Sequence, residues 1–98
     1  MTIEEFQKAI DDTYGARDAE RGLQGTFMWL VEEVGELARA LRKGEREQIE
    51  GEFADVLAWV TTTATLAGVD LGAVAARYAK GCPKCGRLPC ECERPREK

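Results

Sequence analysis

The chain contains no histidine, no serine and no asparagine. Serine–histidine triads, histidine-ligated catalytic zinc and the H-x-E deaminase site are therefore excluded, since each needs a residue type that is missing. Cysteine is confined to the last 17 residues, which removes a cysteine nucleophile from the first 81 positions. Whatever chemistry residues 1–81 perform runs on carboxylates, Arg, Lys, Tyr, Thr or a bound metal. Long apolar runs are missing as well. The longest uncharged stretch, Val56 to Val69, has 14 residues and includes four threonines, short of the roughly 20 that span a bilayer. No transmembrane segment is expected. The acidic opening Met1-Thr-Ile-Glu-Glu is unlike the basic start of a signal peptide, so the expected location is cytoplasmic. A net charge of −4, with no basic run longer than two residues, argues against duplex nucleic acid as a partner.

What is present is a globular composition, 44% apolar and 33% charged. The 98 residues make one domain, and a core of that size hides only about 60 to 65% of the surface its unfolded chain exposes. A partner subunit or a bound metal is expected to add stability.

Helical spacing dominates the pattern. Thr2 and Glu5 form a capping-box sequence ahead of Ile3, Phe6, Ile10 and Tyr14, predicting a first helix over about residues 3–14 closed by Gly15. Residues 15–25, with three glycines and four charges, read as a loop. From Thr26 the row Phe27, Leu30, Val31, Val34, Leu37, Ala38, Leu41 holds one helical face, with Arg42 and Lys43 in the last turn and Gly44 beyond. A third helix starts between Glu45 and Ile49 and runs to Ala67. It carries no charge after Asp55, so a central position is expected for it, covered by other helices or by a second subunit. Asp70 caps a fourth, over residues 71–80. No strand-like alternation and no repeat are seen, so the expected class is all-α, with a helical domain over residues 1–81 and a distinct cysteine-rich module over 82–98.

The second and third helices each carry an acidic face. At about 100° per residue, Glu32, Glu33 and Glu36 lie opposite the apolar stripe with Trp29 among them; Glu52 and Asp55 share a flank with Trp59. These faces are either solvated, with Glu36 and Arg39 an ordinary (i, i+3) pair, or they meet. Uncompensated charge and an aromatic on each acidic face favour meeting. Carboxylates that close raise one another's pKa or demand a cation, and hard ions such as Mg²⁺ take oxygen ligands of this kind.

The run Leu30-Val-Glu-Glu-Val-Gly-Glu-Leu-Ala, followed by Glu52-Phe-Ala-Asp55-Val, resembles the E-E-x-x-E and E-x-x-D signature of the MazG-like, all-α nucleoside triphosphate pyrophosphohydrolases. The resemblance covers most of residues 1–81. It implies a four-helix bundle assembled as a homo-oligomer, dimer or tetramer. It also implies Mg²⁺-dependent hydrolysis (Mn²⁺ as a substitute) of an NTP or dNTP to the monophosphate and pyrophosphate, by water attack at the α-phosphorus. Carried across residue by residue, the motif makes Glu33, Glu36, Glu52 and Asp55 the metal ligands. Glu32 becomes a further ligand or the group that positions or deprotonates the water. Trp29 and Trp59 are candidates for stacking on the base, with packing at the bundle or subunit interface as the competing use. Arg21, with Arg17, Arg77 and Lys80, is a candidate phosphate partner, with plain surface charge as the alternative.

Cys82-Pro-Lys-Cys85-Gly is a metal-knuckle sequence, and Cys90-Glu-Cys92 follows after four residues. Structural zinc on Cys82, Cys85, Cys90 and Cys92 is the leading expectation. A disulfide-forming redox pair and a zinc shared between subunits are the alternatives, because the spacing is cramped. Residues 93–98 are expected to be disordered. The competing function is a non-catalytic helical dimerisation module with a zinc-stabilised docking tail; the complete acidic set favours the hydrolase.

Overall fold

The structure is a computed structural model that describes residues 1–93. The expectation of disorder for 93–98 falls, beyond Glu93, outside the described residues. Helix α1 spans Ile3–Lys43. Its start is the capping box read from the sequence: Glu5 N–H donates to Thr2 Oγ1 at 3.0 Å, and Thr2 N–H donates to Glu5 Oε1 at 2.7 Å. A cap of this kind is worth about 1 kcal/mol. Glu4 and Glu5 in the first turn and Arg42 and Lys43 in the last complement the helix dipole. Gly44, at φ 79°, closes the helix in the left-handed conformation.

The expected loop over residues 15–25 is a correction. The helix continues through Gly15 and breaks only at Gly22, whose φ 84° and ψ 169° bend α1 into limbs 3–21 and 23–43. The reading failed because charge was taken as a sign of solvent. Asp18 is instead 7% exposed, turned toward the neighbouring helix, where its partners replace water. Arg21 spans the bend, its Nη1 donating to Asp18 Oδ1 at 3.0 Å and to Thr26 Oγ1 at 3.1 Å.

Helix α2 spans Arg46–Leu66 and packs along α1. Helix α3 is shorter than expected, Leu71–Ala75, and tightens into a 3-10 turn at Ala76–Tyr78, a common way for a helix to end. Asp70 caps α3 through Ala73 N–H. One side chain ties the three helices together. Gln7 Nε2 donates to Thr65 Oγ1 and to Val69 O, both at 2.9 Å, while its Oε1 accepts from Leu71 N–H at 2.9 Å.

All described elements are helical, and no single helix is long and apolar enough to cross a membrane. Over the described residues a single chain supplies three α-helices and a 3-10 turn rather than four separate rods. Its interior is also unusual. Among the described residues Ala40 is the one buried apolar side chain, alongside Asp18, Thr26, Thr61 and Thr62. Phe27, Val31, Phe53 and Leu57 each remain more than half exposed. Helix α2 is therefore not enclosed within one chain.

Candidate functional site

Antiparallel packing of α2 against the second limb of α1 brings the two tryptophans into contact. Trp29 and Trp59 stack with ring centroids 6.2 Å apart and planes 18° from parallel. Such pairs contribute about 0.5 to 1.5 kcal/mol beyond the area they bury. The stack also fixes the register between the two acidic faces. Glu33 lies four residues after Trp29 on α1, and Asp55 four residues before Trp59 on α2. One turn from the stack those faces meet: carboxylate oxygens of Glu33, Glu52 and Asp55 all lie within 4.8 Å of one another.

Among the described residues no cation pairs with these three groups. Burial pushes the Glu33 carboxyl above its ordinary value, and the charges of Asp55, Glu52 and Glu36 push it the same way. Glu52 Oε1 is buried without a hydrogen-bond partner. A buried orphan oxygen costs about 1 to 3 kcal/mol, more when charged. Proteins retain such a group where something else satisfies it.

The other motif carboxylates stand apart from this trio. Glu36 accepts from Arg39 Nη1 at 2.7 Å, the (i, i+3) pair that a solvated face would make. Glu32 is exposed. Three carboxylates thus converge, and the remaining two border them.

Beside Asp55 opens a cavity of about 290 Å³, lined on α1 by Tyr14, Arg17, Asp18 and Arg21 and on α2 by Asp55, Ala58, Trp59 and Thr62. That volume lies near the lower end of the range for small-molecule sites, ~300 to 1,000 Å³. Arg21 places its guanidinium carbon 4.9 Å from the Trp59 ring centroid, a cation–π distance. Arg77 and Lys80 are exposed and do not line this cavity. Trp29 is 47% exposed.

Sequence reasoning passed over Tyr14, Asp18 and Thr62. A signal for the first two was present. Phe6, Ile10, Tyr14 and Asp18 continue one (i, i+4) row, so the row that packs the first helix leads directly into the cavity. Thr62 had no such signal, because its partner Asp18 is 44 positions away.

The structure also gathers Cys82, Cys85, Cys90 and Cys92, all unpaired, with their sulfur atoms within 4.8 Å of one another. Backbone N–H groups near Cys85 and Lys84 lower the Cys82 thiol to about 6, while its sulfur neighbours, Cys90 first, push Cys92 up to about 12.

Comparison with curated proteins finds no match to the chain. Residues 21–84, about two thirds of the sequence, match the family model of the MazG nucleotide pyrophosphohydrolase domain. The match spans the Trp29–Trp59 stack, the carboxylate trio and both bordering glutamates, and begins after Tyr14, Arg17 and Asp18. The chain belongs to the MazG nucleotide pyrophosphohydrolase family.

Proposed function

We propose that the protein hydrolyses a nucleoside triphosphate, ribo or deoxy, to the monophosphate and pyrophosphate by attack of water on the α-phosphorus. One observation carries this reading in a chain of this family. Glu33, Glu52 and Asp55 converge from two helices around a buried, unpartnered Glu52 oxygen. A non-catalytic dimerisation module has no use for that arrangement, which opposes folding until it is satisfied.

A hard divalent ion, Mg²⁺ or Mn²⁺, fits the donor set: the ligand atoms are all carboxylate oxygens, one has no other partner, and the group carries excess negative charge. Glu33, Glu52 and Asp55 would hold it, and Glu36, if freed from Arg39, would add a fourth carboxylate. Such an ion neutralises the triphosphate and lowers the pKa of water. The chain's own groups do the rest. Arg17 and Arg21, on the cavity wall next to Asp55, bind phosphate oxygens. The open area of Trp29 stacks on the base, with Trp59, already engaged by Trp29 and Arg21, as its support. Glu32, one residue from Glu33, accepts the proton of the attacking water.

The same reading includes a homo-oligomer, dimer or tetramer. Phe27, Val31 and Val34 on α1 and Phe53, Leu57 and Val60 on α2 are all exposed in a single chain. A groove lined by Leu23, Phe27, Met28 and Thr63 continues that surface. A second copy laid on these faces completes a helical bundle and encloses α2. Residues 1–81 form the catalytic unit and 82–98 an appendage.

The test is a panel of ribo- and deoxyribonucleoside triphosphates with Mg²⁺, Mn²⁺ or EDTA, with products resolved. Monophosphate and pyrophosphate, abolished by EDTA, is the expected result. Diphosphate with orthophosphate, or no turnover of any nucleotide, overturns the proposal.

A further inference from the structure

The segment after the 3-10 turn poses a physical problem of its own. Residues 79–93 contain no helix and no strand. Their one large aliphatic side chain, Leu88, is 83% exposed. There is no apolar core to order them, yet the chain folds back on itself here. Cys82 N–H donates to Arg87 O at 3.0 Å, and Gly86 N–H, at φ 74°, donates to Cys82 O at 2.7 Å. This turn lays the Cys90–Cys92 pair across the Cys82–Cys85 pair.

We infer that Cys82, Cys85, Cys90 and Cys92 form a closed tetrathiolate site for one Zn²⁺ within a single chain, that the metal is what folds residues 82–93, and that Gly81 is the positioning residue that lets the site close.

The sulfur geometry carries the argument. Zinc–thiolate bonds of about 2.3 Å at tetrahedral angles put ligand sulfurs about 3.8 Å apart. Cys82 and Cys92 Sγ are 3.7 Å apart, and Cys85 and Cys90 Sγ are 4.0 Å apart. A disulfide needs about 2.0 Å, and both close contacts run between the two pairs rather than within one, so each arm supplies two corners of a tetrahedron. Backbone N–H groups of Lys84, Glu91 and Cys92 point at Cys82, Cys85 and Cys90 Sγ, each at 3.4 Å. Donors of that kind stabilise thiolates rather than thiols.

With four ligands from one chain, no corner is left for a partner subunit or for water, which is the arrangement of structural and not catalytic zinc. Four soft ligands and the affinity order of divalent ions place Zn²⁺ above Fe²⁺. The hard carboxylate trio on α1 and α2 does not compete for the same ion.

Gly81 is where the backbone decides whether the site closes. It sits at φ 109°, and a Cβ there would lie 2.7 Å from Arg87 O and 3.1 Å from Leu88 Cβ. Any side chain at this position pushes the Arg87 backbone away from Cys82 and opens the tetrahedron, although residue 81 donates nothing to the metal.

The experiment uses the full chain purified under reducing conditions, with metal content, free thiols and hydrogen exchange measured on the same samples. About one zinc per chain is expected, lost in Cys85→Ser and Cys90→Ser. Cobalt substitution should give the intense visible absorption and thiolate charge-transfer bands of a tetrahedral sulfur site. Removing the metal should abolish amide protection over residues 82–93 and leave α1 and α2 protected. Gly81→Ala, with every ligand intact, should bind zinc roughly 10- to 100-fold more weakly in chelator competition, as second-sphere changes do. Zinc-free protein with four reactive thiols, iron in place of zinc, a disulfide, or one zinc per two chains each overturns the inference. Wild-type zinc affinity in Gly81→Ala overturns the role of Gly81. Pyrophosphate release is a separate readout, so failure here leaves the hydrolase reading standing and the reverse also holds.

Discussion

Thr62 donates its hydroxyl to Asp18 Oδ2 across 3.1 Å, joining α2 to the first limb of α1 through a bond buried on both sides. The other Asp18 oxygen takes Arg21 Nη1 at 3.0 Å. This carboxylate is therefore held by its partners rather than by water. Thr62→Val keeps the shape and removes the donor, leaving a buried acceptor short of a partner at a cost of about 1 to 3 kcal/mol. Thr61→Val is the control. The Thr61 hydroxyl only returns to Leu57 O in its own helix, a bond of the kind that adds little, and a change within about 0.5 kcal/mol is expected. Chemical denaturation of the two variants side by side decides it, and equal effects would show that Asp18 is not held by Thr62.

At the carboxylate trio, function and stability pull in opposite directions. Glu33→Gln or Asp55→Asn should lower turnover at least ~100-fold, the scale of losing a group that stabilises transition-state charge. Metal-free stability should stay level or rise, because a like charge has been removed. Mg²⁺ should raise the melting temperature of the wild type more than that of either variant, since only a ligand that prefers the folded state stabilises it. Loss of activity explained by unfolding of the variants would make these residues structural.

The same trio sets a pH dependence whose sign depends on metal. In the metal-free chain, burial first and then Asp55 and Glu52 hold the Glu33 carboxyl above its ordinary value, so the folded state binds a proton more readily than the unfolded state. Stability should rise as pH falls through the raised value and level off below the ordinary one. Excess Mg²⁺ needs the ionised form, so the increment it adds should shrink over that same window. Melting temperatures against pH, with and without Mg²⁺, give two curves that converge at acid pH. Parallel curves would remove Glu33 from the site.

Gly22 offers a test with no side chain involved. A Cβ built there meets nothing within 4 Å, yet the residue sits at φ 84° and ψ 169°, a region almost closed to other L-residues. Gly22→Ala should therefore destabilise by about 1 to 3 kcal/mol through backbone strain alone. Unchanged stability would mean that the bend is not fixed in solution.

Exposure of Phe27, Val31, Phe53 and Leu57 in one chain predicts a mass in light scattering that is a multiple of 10.9 kDa. Burying one such side chain contributes about 1.5 to 3 kcal/mol. Leu57→Glu should dissociate the assembly and lower helicity together. A stable monomer would end the argument that a second copy covers these faces.

Much of this was legible in the sequence, and the parts that were not share a cause. Thr2 with Glu5 located the start of the first expected helix and Arg42-Lys43-Gly44 the end of the second, because caps are local chemistry, and the structure joins the two as α1. Helix α2 followed from its long uncharged run. The two acidic faces, each with its tryptophan, could be drawn from angular position alone, but that Trp29 stacks on Trp59 is a fact about packing and not about either helix. The failure at residues 15–25 came from reading Arg17, Asp18 and Arg21 as solvated when Asp18 points inward against Thr62, and periodicity of apolar residues cannot report a polar interior. Glu36 shows the limit from the other side. Its spacing from Glu33 suits a shared ligand set, while its spacing from Arg39 suits an ion pair, and the structure holds the ion pair.

The bend at Gly22 also resets helical phase. Without it, the angular position of Tyr14, Arg17 and Asp18 would be tied, residue by residue, to that of Trp29 and Glu33 on one continuous rod. With it, the α1 side of the cavity wall and Glu33 ride on limbs whose rotations are set separately. The family match begins at Arg21, so Tyr14, Arg17 and Asp18 stand outside the matched span, while Arg21, the last wall residue before the bend, stands within it. Substitution of Tyr14 or Arg17 therefore alters the cavity wall on a different limb from the one that carries Glu33. One glycine thus lets two parts of a single helix take rotations that a straight rod would tie together.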